Sequence, residues 1–264
     1  MKKPTLITFL FLALCALNLK TKAADVSDLT YENNGEYITI TDCNQDASGE
    51  LIIPETIDGL PVKLIGNSAF RDCSILTSVS MPEGVTEIGN SAFYDCGSLT
   101  TITIGDNVSL IGGSAFKLCK SLTSIIIPDG VEFIGNEAFK GCQALTSIRI
   151  PRGITEINNI FPESNIFNSI TVDEDNENFT DVDGVLFNKQ KTLLIQYPQG
   201  KFDLNYTVPD GLKTIGNGAF RSCQFIQKIT IPDGIEVIGQ WAFNSCGALT
   251  NITIGNGIKN INEN

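Results

Sequence analysis

The feature that most constrains the fold is a motif that recurs with a step of 23 residues along the chain. Its core is Ile-Gly-x-x-Ala-Phe-x-x-Cys, where x is any residue, and Leu-x-x-Ile-x-Ile-Pro follows it. The phenylalanine of the motif, with a cysteine three residues later, stands at Phe70, Phe93, Phe116, Phe139, Phe220 and Phe243. A fixed period of this size predicts a solenoid, in which each coil buries its apolar side chains only by stacking on its neighbours.

Each repeat predicts one strand followed by turns. In Leu-x-x-Ile-x-Ile, alternation directs the leucine and the isoleucines inward and the residues between them outward. Gly84, Gly130, Gly153 and Gly234, and the glycine after the isoleucine of Ile-Gly, are predicted to adopt positive φ in turns. Ala-Phe-x-x-Cys is predicted to form a short helical or 3-10 turn that places both side chains in the core. We therefore expect a parallel sheet on one face, turns on the other, and a ladder of phenylalanines inside.

The segments outside the repeats predict a leader, a cap and an insertion. Residues 1–23 are predicted to be a secretory signal peptide, because two lysines precede an apolar run that is too short to span a bilayer and ends near small residues. The alternative is a lipoprotein-like box at Cys15, which would tether the protein to a membrane. We assign residues 24–64 to an N-terminal cap and first strand, 65–172 to repeats, 173–207 to an insertion, and 208–264 to repeats that are incomplete at the C-terminus.

The insertion predicts a β-hairpin. Two apolar runs, Val185–Phe187 and Leu193–Ile195, are joined by the polar stretch 188–192. Because insertions in a solenoid map to loops on one face, we expect this hairpin to project from the stack or fold across it.

The composition excludes several functions. The formal net charge is -12, and loss of the leader with its four lysines makes the mature part more acidic still, which disfavours nucleic acid and anionic membranes as partners. The chain has no histidine, so Ser-His-Asp and Cys-His activation and most zinc sites are excluded. We expect no enzyme activity, no cofactor, no nucleic-acid partner and no membrane insertion after signal cleavage.

The cysteines have two interpretations. An exported chain with eight cysteines would normally contain disulfides. Six of these residues, however, occupy the same repeat position, where they would stack as buried small hydrophobic side chains. We favour packing, and disulfides between neighbouring coils remain the alternative. Cys43 lies outside the repeat register and has no evident partner.

The repeat unit, together with Asp183-Gly184-Val185-Leu186-Phe187 in the insertion, resembles the BspA-type leucine-rich-repeat proteins of bacterial and some protist surfaces. The resemblance extends from about Tyr37 to the end of the chain. It implies a leucine-rich-repeat solenoid of stacked coils, export to the cell surface or medium, and, in some members, adhesion to extracellular matrix proteins. It carries over no catalytic residue.

The outward positions of the strands are the predicted binding surface. They form columns of Thr and Ser with few charges, which is unusual on so acidic a protein, and the sheet face of a solenoid is an extended surface for a protein or glycan. The alternative is that Thr and Ser simply tolerate strands and solvent. The predicted binding residues are Thr101, Thr103, Ser124, Ile126, Ser147, Arg149, Lys228 and Thr230.

An acidic stretch at the start of the insertion could offer oxygen ligands to calcium. It runs from Asp173 to Glu177, with Asp181 and Asp183 nearby. The flanking helices and the closing glutamate of an EF-hand are missing, so we favour a solvated acidic loop and predict no metal site.

Together these features predict an exported, non-enzymatic binding or adhesion protein that presents a repeat surface to an extracellular protein or glycan. The alternative is a structural or truncated repeat module that self-associates through its C-terminal edge or needs a partner domain, because an open apolar edge favours association.

Overall fold

The chain forms a solenoid of stacked coils in a computed structural model that describes residues 23–161 and 163–262. All but the last residue of the predicted signal peptide, and Cys15 with it, lie outside the described residues. Within the described residues, the one helix is a 3-10 helix at Val26–Asp28. No helix among them is long and apolar enough to cross a lipid bilayer.

Short strands make up the regular structure. In chain order they are β1 (Leu29–Asn33), β2 (Ile38–Cys43), β3 (Gly49–Ile52), β4 (Thr56–Ile57), β5 (Leu60–Ile65), β6 (Leu76–Ser80), β7 (Glu87–Ile88), β8 (Thr101–Thr103), β9 (Leu110–Ile111), β10 (Phe133–Ile134), β11 (Ser147–Ile150), β12 (Ser169–Val172), β13 (Phe179–Val182), β14 (Val185–Asn188), β15 (Leu193–Gln196), β16 (Asn205–Thr207), β17 (Thr214–Ile215), β18 (Lys228–Ile231), β19 (Val237–Ile238), β20 (Asn251–Ile254) and β21 (Asn260–Ile261).

Two parallel ladders run along the stack. The strand face is built from the Leu-x-x-Ile-x-Ile strands, which pair as β3-β6-β8, β11-β12 and β16-β18-β20. The Ile-Gly ladder runs in the order β5-β7-β9-β10, and again as β15-β17-β19-β21; its strands have two residues each except β5 and β15, which begin the two runs. The register advances by one repeat per strand, so that Glu87 pairs with Leu110 and Leu110 with Phe133. We call residues 49–172 the first array and residues 193–261 the second array.

The prediction of a strand in every regular coil is wrong for one of them. None of the residues 122–127 lies in a strand, although Leu122, Ile125 and Ile127 are buried as expected. The backbone N–H of Thr123 still donates to the carbonyl of Thr100 at 3.3 Å. Side-chain alternation is fixed by packing in the core and persists here without a full set of ladder hydrogen bonds.

The predicted 3-10 turn is realised as two consecutive β-turns. Ala69 N–H donates to the Gly66 carbonyl at 3.3 Å and Cys73 N–H to the Phe70 carbonyl at 3.2 Å. The third residue of each turn has positive φ, 59° at Ser68 and 62° at Asp72, as a type II turn requires. Because these residues adopt the left-handed backbone conformation, the turns do not continue into a helix.

The prediction of positive φ at Gly84 and at the glycine of Ile-Gly is wrong, since both adopt ordinary φ. The Ile-Gly position requires glycine for a different reason. A Cβ built on Gly135 would lie 2.3 Å from the backbone nitrogen of Gly113 in the preceding coil. Consecutive coils therefore approach too closely here for any side chain.

The predicted hairpin is confirmed, because β14 and β15 are antiparallel. It is built into the stack instead of projecting from it, since β15 pairs in parallel with β17 and so begins the Ile-Gly ladder of the second array. The N-terminal cap has the same design: β1 and β2 are antiparallel, and β2 pairs in parallel with β5. Each array is thus started by a hairpin.

The core consists of two clusters, one per array, that meet at the insertion. In the first array the rings of Phe70, Phe93, Phe116 and Phe139 stack with centroids 4.7, 5.4 and 5.6 Å apart. In the second array Tyr197 takes the phenylalanine position and lies 5.2 Å from Phe220. The predicted phenylalanine ladder is therefore present but interrupted between the arrays.

Candidate functional site

The structure places the predicted binding residues on the exposed strand face. Strands β11 and β18 both alternate exposed and buried residues from their first position, because their isoleucines fill the core. Six of the eight predicted residues come together on three consecutive coils, whereas Lys228 and Thr230 lie on the other side of the insertion. The six neighbours are Thr101, Thr103, Ser124, Ile126, Ser147 and Arg149.

Two of these six side chains, Ile126 and Arg149, differ from the small polar groups of the other four. Ile126 is 82% exposed, although it is a large apolar residue. Arg149 on the adjacent strand donates to Asp129 at 2.8 Å and also pairs with Asp173. The bond to Asp129, together with the charge of Asp173, raises the pKa of the Arg149 guanidinium. The face therefore carries an apolar residue beside a cation that is held in place by two carboxylates.

The acidic stretch of the insertion is folded onto the stack by a buried asparagine. Asn176 donates its amide N–H groups to the carbonyls of Pro151 at 2.8 Å and Ile154 at 3.0 Å, and its side-chain oxygen accepts from the N–H groups of Asn178 and Phe179. Sequence reasoning missed this residue, because nothing in the pattern distinguishes it from its exposed acidic neighbours. Among the described residues, no cluster of three or more Cys, Asp or Glu side chains could hold a metal ion.

The repeat cysteines form an internal ladder of free thiols, as the packing interpretation predicts, and the seven cysteines in the described residues are all free. The Cys119 and Cys142 thiols each donate to a phenylalanine carbonyl of the preceding coil at 3.1 Å. Burial raises the pKa of Cys142 to about 12. Since the thiolate is the nucleophilic form, the Cys142 thiol is unsuited to covalent catalysis.

A cleft of about 440 Å³ lies between the two arrays. One wall comes from residues 157–161 of the last coil of the first array, and the other from β15 and the first turn of the following coil, with Trp241 at the edge. Sequence reasoning missed this feature. The signals that it left unused were the degenerate repeat around Asn158 and the single tryptophan of the chain.

The sequence matches a family described as the BspA type leucine-rich repeat region, in six copies, over residues 50–193 and 203–264. Several solved structures have a similar fold. The pneumococcal vaccine antigen PcpA is 24% identical, with a TM-score of 0.71, over 90% of this chain and 71% of that chain. A leucine-rich cell surface protein from Faecalibacterium prausnitzii A2-165 is 30% identical, with a TM-score of 0.55, over 88% of this chain and 76% of that chain.

The leucine-rich repeat protein TpLRR of T. pallidum is 24% identical, with a TM-score of 0.58, over 87% of this chain and 91% of that chain. Comparison with curated protein sequences finds no match. The structural likenesses below 25% identity establish the solenoid fold and no more.

Proposed function

Because the chain belongs to the BspA-type leucine-rich-repeat family, we propose that it is an exported, non-enzymatic binding protein that holds an extracellular protein against its strand face. The predicted leader supports export, and the similarity to a cell surface protein of F. prausnitzii supports an extracellular location. The buried thiols and the lack of histidine support a binding role over catalysis.

The observation that carries the proposal is the environment of Ile126. A large apolar side chain that is 82% exposed gains little from folding. It stands between Thr103 and Arg149 on neighbouring coils of the strand face, where nearby outward residues such as Thr101 and Ser147 are small and polar. Ile52, three coils earlier in the same column, is also exposed. Arginine is enriched in protein-binding hot spots, and burial of the exposed isoleucine beside it in an interface would remove apolar surface from water. A protein partner therefore fits this face better than a glycan, which would need aromatic rings for stacking.

A direct test uses the chain with immobilised collagen, fibronectin and laminin as probes, read by surface plasmon resonance. We expect saturable binding to at least one of them, and we expect Ile126→Glu to weaken that binding about tenfold or more, because the new charge must be buried at the interface. The matched control is Gln143→Glu, which adds the same charge at an exposed turn position away from the face.

Three results would contradict the proposal: no binding to any of the matrix proteins, equal loss in both variants, or binding to glycans alone. Binding to glycans alone would instead support the alternative that the strand face binds a glycan.

The last described coil favours a second proposal, contact with another copy of the chain. Ile252 and Ile254 of β20 are 38% and 49% exposed, and Ile261 of β21 is also exposed. An exposed strand edge with apolar side chains favours pairing with another chain. Sedimentation equilibrium would show concentration-dependent dimers that the double variant Ile252→Thr, Ile254→Thr abolishes. A monomer at every concentration would eliminate this proposal.

A further inference from the structure

The cleft between the arrays exists because one turn of the solenoid is missing. In regular coils four residues separate the ladder isoleucine from the core aromatic, as between Ile215 and Phe220, and they form the first β-turn. Only two residues separate Leu194 from Tyr197, although Leu194 pairs with Ile215 in the ladder and Tyr197 takes the phenylalanine position. The hairpin that starts the second array thus supplies a strand and an aromatic ring but no turn.

The turns on either side of the gap show the consequence. The turn at Gly239 packs on the turn of the preceding coil, so that a Cβ on Gly239 would lie 2.6 Å from the nitrogen of Asn217. The turn at Gly216 has no such partner turn, and a Cβ there would meet the backbone of β15 instead. On the far wall, the carbonyls of Asn159 and Ile160 accept hydrogen bonds from the coil before them. The cleft therefore occupies the space that the first β-turn fills in a regular coil.

The walls of the cleft are rich in amides that the backbone holds in position. Gln199 accepts from the N–H of Ser164 at 2.9 Å, and Gln196 donates to the carbonyl of Tyr197 at 2.8 Å. Asn217 accepts from the N–H of Gln240 at 2.9 Å. Each bond engages one end of the side-chain amide and orients the other. Because amides have both donors and acceptors, such a set suits a ligand with many hydroxyl groups.

The cleft is close to electrically neutral on a strongly acidic protein. Its charged lining residues are Glu163 and Arg221, which pair with each other at 3.7 Å. Lys140 also lies 3.6 Å from the Glu163 carboxylate. With the one lining cation already paired, a free carboxylate or phosphate would gain little here, and an uncharged ligand is favoured.

Trp241 gives the cleft an aromatic edge. It is the third residue of its β-turn, with φ 53°, where the regular coils of the first array place serines such as Ser68 and Ser91. The side chain remains 49% exposed. Because Gly218 in the coil before it has no side chain, the indole reaches the cleft.

We propose that this cleft binds a short, uncharged oligosaccharide, with the indole of Trp241 against the face of one sugar ring and the amides of Gln196, Gln199 and Asn217 on its hydroxyls. An aromatic ring offers the apolar platform that a sugar face requires, and amides satisfy both the donor and the acceptor of each hydroxyl. The volume lies in the range of ligand pockets. The site is separate from the strand face and does not depend on it.

The test uses the single tryptophan as its own reporter. The chain is titrated with neutral tri- and tetrasaccharides (malto-, cello-, galacto- and N-acetylchito-oligosaccharides) while tryptophan emission is recorded. We expect at least one of them to give a saturable shift of the emission. Isothermal titration calorimetry with that sugar should then show about a tenfold loss of affinity in Trp241→Ser, because one ring-stacking contact is removed.

Trp241→Ser is chosen because serine occupies this turn position in other coils, so the turn is expected to fold. Phe202→Ala is the matched control, since Phe202 is an exposed aromatic residue that does not line the cleft; the affinity of this variant should equal that of the unaltered chain.

The proposal is overturned if no neutral sugar shifts the emission, if Trp241→Ser binds as well as the unaltered chain, or if only uronic-acid oligosaccharides bind and need Arg221. It is equally overturned if extended peptides bind at Trp241 and the sugars do not.

Discussion

An interior coil of the first array and the last described coil of the second array place the same motif in opposite environments. In the first array the strand isoleucines Ile148 and Ile150 are 2% and 0% exposed, whereas their equivalents in the last described coil, Ile252 and Ile254, are 38% and 49% exposed. The motif is alike in both coils, and the difference lies in the neighbours. Burial in a solenoid is therefore conferred by the coils on either side and is not a property of the repeat alone.

The two arrays also differ in how they are closed. Both begin with an antiparallel hairpin whose second strand enters the Ile-Gly ladder. The far end of the first array is covered by the insertion, since Phe179 and Leu186 belong to its core cluster. In the second array, the last described coil has only partly buried Phe243, Cys246 and Leu249. The insertion is thus both the closing cap of one array and the starting cap of the next.

Truncation of the phenylalanine ladder tests this difference most strongly. Phe116 is fully buried between two stacked rings, so Phe116→Ala should cost about 3–5 kcal/mol of unfolding free energy through lost burial and a residual cavity. Phe243 has a stacked neighbour on one side only, at 5.2 Å, and Phe243→Ala should cost about 1–2 kcal/mol. Urea unfolding followed by circular dichroism measures both. Equal losses would mean that the last described coil is covered in solution.

Removal of Asn176 tests whether the insertion closes the first array. Its side chain makes four hydrogen bonds in a buried site, so Asn176→Ala should cost about 3 kcal/mol, because buried carbonyl and N–H groups lose their partners. Asn178→Ala, at an exposed position two residues away, should change stability by less than about 0.5 kcal/mol. The measurement is urea unfolding, with amide hydrogen exchange at Ile154 and Phe179 as a local readout. If exchange there stays slow in Asn176→Ala, another contact closes the array.

Close stacking of the coils is tested at two glycines of the first array. Gly135→Ala places a methyl group against the backbone of Gly113 and should cost about 1–3 kcal/mol, because the coils must move apart. Gly97→Ala has open space around the new methyl and should be neutral within about 0.5 kcal/mol. Thermal unfolding compares the two variants. A neutral Gly135→Ala would show that the coils can separate there at little cost.

The repeat made the solenoid predictable, because a side chain that recurs at a fixed step must occupy the same place in every coil. Phe116 and Cys142 in the core and Ile126 on the surface follow directly from that rule. The role of Gly135 did not follow from that rule. A recurring glycine indicates that glycine is required, but it does not show whether a positive φ or the close approach of another coil requires it.

The features between the arrays were less predictable for a related reason. The repeat motif predicts nothing where its register breaks, and Asn176 and Tyr197 both lie in the insertion that breaks it. Trp241 lies in a regular turn, at a position that the motif leaves variable. Tyr197 could have been found by asking which residue of the insertion replaces the missing phenylalanine. The cleft could not, because it depends on a turn that is absent.

The thiols provide the mildest test of the difference between the arrays. Burial raises the pKa of Cys142 in the first array to about 12, against about 8.5 for an unfolded thiol. A raised folded pKa means that the unfolded chain loses its proton first, so the stability from this thiol is complete below about pH 8.5 and is lost as the pH rises toward 12. Cys142→Ala should therefore flatten the fall of unfolding free energy with pH, by about 1.4 kcal/mol per pH unit in that range.

The half-buried Cys246 of the last described coil is the control, because Cys246→Ala should retain the steep fall that Cys142 causes. Urea unfolding at pH 8, 9 and 10 gives the slopes. If Cys142→Ala keeps the slope of the unaltered chain, water reaches the interior of the first array and Cys142 is no better buried than Cys246.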